Sequence, residues 1–154
     1  MEIQAAIGRS QLKDLDFFVG KRRSIAERIK NSIDNTCFSI IGSDAFSTFE
    51  KSKSHSWMLL PIRITTATGH LMKPSVLDFL ESIGIETRPV LTGNFLSQPS
   101  MQRIGENLPD PDSFPVATEI SNSSFLVGAH HDLSDEQVNF LGESLNEASR
   151  IVAQ

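Results

Sequence analysis

The sequence predicts an α+β fold, with a long amino-terminal helix followed by a small layered domain of short strands and helices. Three observations carry this. Apolar residues recur mostly at three- and four-residue steps from Ile3 to Ile33, with no proline among them. Short apolar runs bounded by turn formers follow, with a helical stretch between them. Ser134 and Gln137 then form a capping-box pattern ahead of a second periodic stretch. The organisation is a connecting helix over 1–34 and a small α+β domain over 35–154.

The first helix is read from Ile3, Ile7, Leu15, Phe18, Ile25, Ile29 and Ile33. At about 1.5 Å per residue it would run roughly 45 Å, long for so small a domain. Its opening lacks a Ser, Thr, Asp or Asn cap. Ala5, Ala6 and Gly8 are small, as where a helix lies close against other backbone. The expectation is that preceding residues of a parent architecture supply that contact.

Thr36–Ile41 reads as a short strand and 43–56 as a polar loop. Trp57–Ile64 reads as a strand in which Pro61 indicates an edge or a bulge. Pro74 suits the first turn of a helix ending at Ile83, with Gly84 as its stop. Val76, Leu77, Leu80 and Ile83 form the buried face of that helix. Ile85–Leu91 reads as a strand, and 93–112 as irregular with one short helix near Met101–Ile104. Phe114–Ser121 reads as a short helix before an apolar segment, Phe125–Val127. The closing helix carries Asp135 and Glu136 in its first turn, where the helix dipole favours negative charge. Val138, Leu141, Leu145, Ala148 and Val152 make its apolar stripe.

The chain has 154 residues, 39% hydrophobic and 21% charged, as in an ordinary globular protein. No apolar run reaches the roughly 18 residues of a membrane span, so no membrane partner is expected. Residues 1–34 hold seven basic and five acidic side chains, whereas 106–154 hold one basic and nine acidic. That acidic half argues against general nucleic-acid binding, which needs a basic surface. Cys37 is the one cysteine; with no partner for an internal disulfide it fits a reducing compartment, and the cytoplasm is expected.

No phosphate-binding glycine loop or nucleophile elbow is present. Adjacent His130 and His131 would point apart on a strand or a helix, so no metal site is predicted. The segment 84–99 stands out. Arg88 lies at a strand end, and an arginine fork holds phosphate or carboxylate with two bonds. Asn94 and Gln98 follow in a loop, and their amides can donate to and accept from hydroxyls. His55 and Trp57 precede a strand, where Trp57 is read as a packed edge rather than a stacking platform.

Residues 2–12, Glu-Ile-Gln-Ala-Ala-Ile-Gly-Arg-Ser-Gln-Leu, resemble the helix after the large domain in the DegT/DnrJ/StrS family of sugar aminotransferases. Ile83–Pro89, with its Thr-Arg-Pro, resembles that family's small-domain strand. Thr92–Pro99 is similar to the branch that contains the hexulose dehydratases. His130–Ser134 is similar to the loop before the last helix. The resemblance implies the small carboxy-terminal domain of a fold-type-I enzyme dependent on pyridoxal phosphate, with the large domain absent. It implies a homodimer or a large-domain partner, and a nucleotide-sugar substrate destined for lipopolysaccharide or deoxysugar synthesis. The chemistry would be amino transfer or dehydration, with the choice left open. Lys13, Lys21, Lys30, Lys51, Lys53 and Lys73 match no cofactor-lysine segment, so no catalytic residue and no covalently bound cofactor is expected in this chain. Substrate contacts are carried over to Arg88, Asn94, Gln98 and His131. The competing expectation is a non-catalytic interaction module that pairs through the helix 3–33.

Overall fold

Four short strands form the antiparallel sheet on which the helices rest. The computed structural model describes residues 2–43, 55–104 and 108–153. In chain order these form α1 (Glu2–Gln11), α2 (Leu15–Ser32), β1 (Phe38–Ile40), β2 (Leu59–Ile64), α3 (Gly69–Ser82), β3 (Thr87–Pro89), α4 (Pro115–Ser123), β4 (Ser124–Gly128) and α5 (Asp135–Val152). The strand order is β1-β2-β4-β3. Ile40 faces Ile62, Ile62 faces Phe125, and Arg88 faces Leu126. Period-two alternation sends Phe38, Ile40, Leu60, Ile62, Ile64, Phe125 and Val127 to one face, where all are buried. The helices complete that core through Ile25, Ala26 and Ile29 of α2, Val76 and Leu80 of α3, and Leu145 and Ala148 of α5.

The expected long helix is helical throughout but divided. A tighter 3-10 turn at Leu12–Asp14 separates α1 from α2. Every residue from 2 to 17 is exposed, including Ile3 (78%), Ile7 (59%) and Leu12 (65%). Burial begins only in the middle of α2, at Ile25, Ala26 and Ile29. The carboxy-terminal part of α2 is tied to α5. Asn146 Oδ1 accepts the Asp34 N–H at 2.7 Å, and its Nδ2 donates to the Ser32 carbonyl at 2.7 Å. These bonds satisfy backbone groups that a helix end leaves open. Arg28 adds an ion pair to Asp135 and a hydrogen bond to Asn139. Asp34 also accepts from Thr36, whose hydroxyl and then backbone N–H hold its carboxyl below the usual value.

Two proline readings are corrected. Pro61 lies on β2, a central strand, not at an edge or a bulge. Its carbonyl accepts the Ile41 N–H at 2.9 Å, so its nitrogen faces the point where β1 has just ended. The missing donor therefore costs no ladder bond within β1. Pro74 lies inside α3 and not in its first turn, because the helix begins at Gly69. Gly69 allows that earlier start, since a Cβ there would sit 2.9 Å from Ile64 Cγ2. The stop is as expected: Gly84 has φ +88°, and the Ile85 N–H reaches back to the Leu80 carbonyl at 2.9 Å.

The predicted strand over 85–91 shortens to β3, and the irregular stretch contains 3-10 turns at Phe95–Ser97, Met101–Arg103 and Pro111–Ser113. The expected loop over 43–56 falls largely outside the described residues. α5 matches expectation, with both capping-box bonds formed between Ser134 and Gln137.

Candidate functional site

β3 places Arg88 on the edge of the sheet, opposite Leu126 on β4. The side chain is exposed, and its Nε and Nη2 both donate to Glu86 Oε1, at 2.9 and 2.7 Å. Glu86 lies just before β3, two residues from Arg88, within reach of its guanidinium. Both partners are well exposed, so the pair is weak and readily exchanged for another anion. Beside it lies a cavity of about 460 Å³ whose walls include Leu59, Ile85, Glu86, Arg88, Gln137 and Phe140, with the Glu86 carboxylate engaged by Arg88. An apolar hollow with an arginine among its walls suits a ligand with an anionic group and a less polar body.

The other candidate residues are not brought to this cavity. Asn94 is 2% exposed. Its Nδ2 donates to the Pro111 carbonyl at 2.9 Å and Thr118 Oγ1 at 2.8 Å, and its Oδ1 accepts the Leu96 N–H. Gln98 Nε2 donates to the Thr92 carbonyl at 2.9 Å. Both amides are engaged inside the chain, where they shape the 92–98 loop. Gly93 anchors that loop against α4: its φ is +57°, and a Cβ there would lie 2.3 Å from Ser121 Oγ and 3.0 Å from Ser121 Cα. Gly93→Ala combines left-handed strain with a backbone clash. It is expected to lower stability by roughly 1–3 kcal/mol, read as a fall in thermal midpoint; an unchanged midpoint contradicts this account of the loop.

His131 lies on the turn before α5, its ring 4.1 Å from that of Phe18 on α2. The expectation that His130 and His131 diverge is corrected, because their ring centroids are 4.3 Å apart. The two residues sit in a turn, where neither strand nor helix alternation applies. Trp57 is packed as expected at 3% exposure, with His55 against it at 4.9 Å.

Sequence reasoning missed a cavity of about 600 Å³ between the start of α3 and α4, lined by Thr66, His70, Asp112, Thr118 and Glu119 among others. Its carboxylates disfavour a phosphate ligand. An aldehyde cofactor that carries a phosphate would meet an acidic groove beside Lys73. Burial lowers the pKa of Lys73, but its Nζ donates to the Ser121 carbonyl at 2.8 Å beside a groove that also holds Asp78 and Glu81. Those carboxylates repel the phosphate such a cofactor carries.

The family described as DegT/DnrJ/EryC1/StrS aminotransferase matches residues 1–146. GDP-perosamine synthase of Escherichia coli O157:H7 is 29% identical over 147 residues, covering 94% of this chain and 35% of that protein. The solved GDP-4-keto-6-deoxy-D-mannose-3-dehydratase of E. coli with bound hydrated PLP is 26% identical. It has a TM-score of 0.68 and covers 91% of this chain and 34% of its own. The Helicobacter pylori aminotransferase PseC, involved in pseudoaminic acid biosynthesis, has a TM-score of 0.79 at 22% identity, covering 96% and 37%. The chain thus spans about a third of the length of these relatives. No helix among the described residues is long and apolar enough to cross a membrane.

Proposed function

We propose, because this chain belongs to the DegT/DnrJ/EryC1/StrS aminotransferase family, that it supplies the substrate-side carboxy-terminal portion of a nucleotide-sugar aminotransferase or 4-keto-sugar dehydratase. The pathway would be lipopolysaccharide or deoxysugar synthesis in the cytoplasm. The observation that carries the reading is the conjunction of an uncovered helix at 2–17 with an arginine-walled cavity at the sheet edge. An apolar surface of that kind marks contact with further polypeptide.

In this reading the cofactor is held by that further polypeptide, a large domain, and this chain forms no covalent bond to it. Pyridoxal phosphate when bound supplies an electron sink. Arg88 exchanges Glu86 for a phosphate group of the nucleotide sugar, with two parallel bonds to two of its oxygens that fix its orientation. Leu59, Ile85 and Phe140 cover the less polar part of the ligand and exclude water from it. Asn94 and Gln98 hold the 92–98 loop in shape through bonds within the chain instead of touching the sugar.

The test is co-expression of this chain with the separately encoded large-domain portion of a family enzyme. Co-purification and turnover of a 4-keto nucleotide sugar are expected. A chain that ignores the large domain and forms only a stable homodimer through helix 3–33 would instead establish the interaction module.

A further inference from the structure

We propose that the turn before α5 binds a zinc-class divalent cation through His130, His131 and Asp132. The inference is independent of the reading above. One ligand atom from each of these three residues can be chosen so that all lie within 4.8 Å of one another. His131 Nε2 is 3.5 Å from Asp132 Oδ1, and His130 Nδ1 is 3.7 Å from Asp132 Oδ2. A tetrahedral ion with bonds of about 2.0–2.1 Å needs its ligand atoms about 3.3 Å apart. Closing from a spacing of up to 4.8 Å takes side-chain rotation, which is open to His130 and Asp132 at 60% and 76% exposed.

The third ligand is already fixed. The His131 side chain is only 15% exposed, with its ring against Phe18 at 4.1 Å and against His130 at 4.3 Å. Its Nδ1 is buried without a hydrogen-bond partner among the described residues, so Nε2 is the nitrogen offered outward. His130 Nδ1 accepts the Asp132 N–H at 3.3 Å, a long bond that a metal would replace. Two imidazoles and one carboxylate favour zinc, nickel or copper over magnesium or calcium, which prefer all-oxygen sets. Three protein ligands leave a position for water. Because His131 stacks on Phe18, occupancy would also stiffen α2 where it leaves the body and becomes exposed.

The experiment titrates the full chain, purified without a histidine tag, with zinc chloride by calorimetry while following the imidazole resonances. One equivalent should bind, shifting His130 and His131 but not His55 or His70, and magnesium should produce no heat. His130→Ala and Asp132→Ala alter exposed side chains and should keep the melting curve while weakening zinc about tenfold or more. Absence of saturable zinc binding at millimolar metal overturns the proposal. So does an affinity unchanged from the parent in both variants, or a response confined to His55 or His70.

Discussion

Leu145→Ala should lower the stability of this chain by about 2–5 kcal/mol, whereas Ile7→Ala should change it by no more than about 0.5 kcal/mol. Leu145 is 0% exposed and belongs to the stripe that α5 lays into the core. Its truncation removes transfer energy and leaves a cavity that the sheet cannot collapse to fill. Ile7 has the same apolar character but is 59% exposed. Thermal unfolding of the two variants side by side checks the contrast. A domain of this size shifts by roughly 2–4 °C for each kcal/mol, so Leu145→Ala separates clearly from the parent. Equal losses for the two would mean that α1 is packed against the body after all.

Arg88→Ala should reduce nucleotide-sugar affinity of the enzyme reconstituted with a large domain by about 10- to 100-fold. This corresponds to the roughly 1.5–3 kcal/mol of hydrogen bonds to a charged group. The melting temperature should stay the same, because its pair with Glu86 is exposed and contributes little. Arg88→Lys keeps the charge but loses the planar fork, so it should recover only part of the affinity. An unchanged KM together with a lower melting temperature would reduce Arg88 to a structural role and remove the cavity beside it from consideration as the substrate edge.

The elements set by local chemistry were legible in the sequence. The Ser134 and Gln137 side chains fix the start of α5, and Gly84 fixes the end of α3 through its left-handed backbone. What could not be read depended on contacts distant in the chain. Pro61 reads as an edge residue until the short β1 is seen to end beside it. Pro74 reads as a first-turn residue until Gly69 is seen against Ile64. The 3-10 break at Leu12–Asp14 has neither proline nor glycine to announce it. The candidate site divided in the same way. Arg88 reads as a strand-end arginine and lies on the edge strand β3, a position that local residue types make legible. The amide of Asn94 was recognised as polar loop chemistry, but its bonds to Pro111 and Thr118 are tertiary and invisible in the sequence. The meeting of His130, His131 and Asp132 was hidden because it takes a turn to bring neighbouring rings together.

The proposed function needs residues 2–17 to form a seat for polypeptide beyond the body of this chain. Amide hydrogen exchange, measured on the chain alone and on the chain co-purified with a family large domain, tests it directly. Alone, these amides should exchange far faster than those of α5, and in the complex they should slow by about tenfold or more. Protection equal to that of α5 in the monomeric chain, or no slowing in the complex, would contradict it.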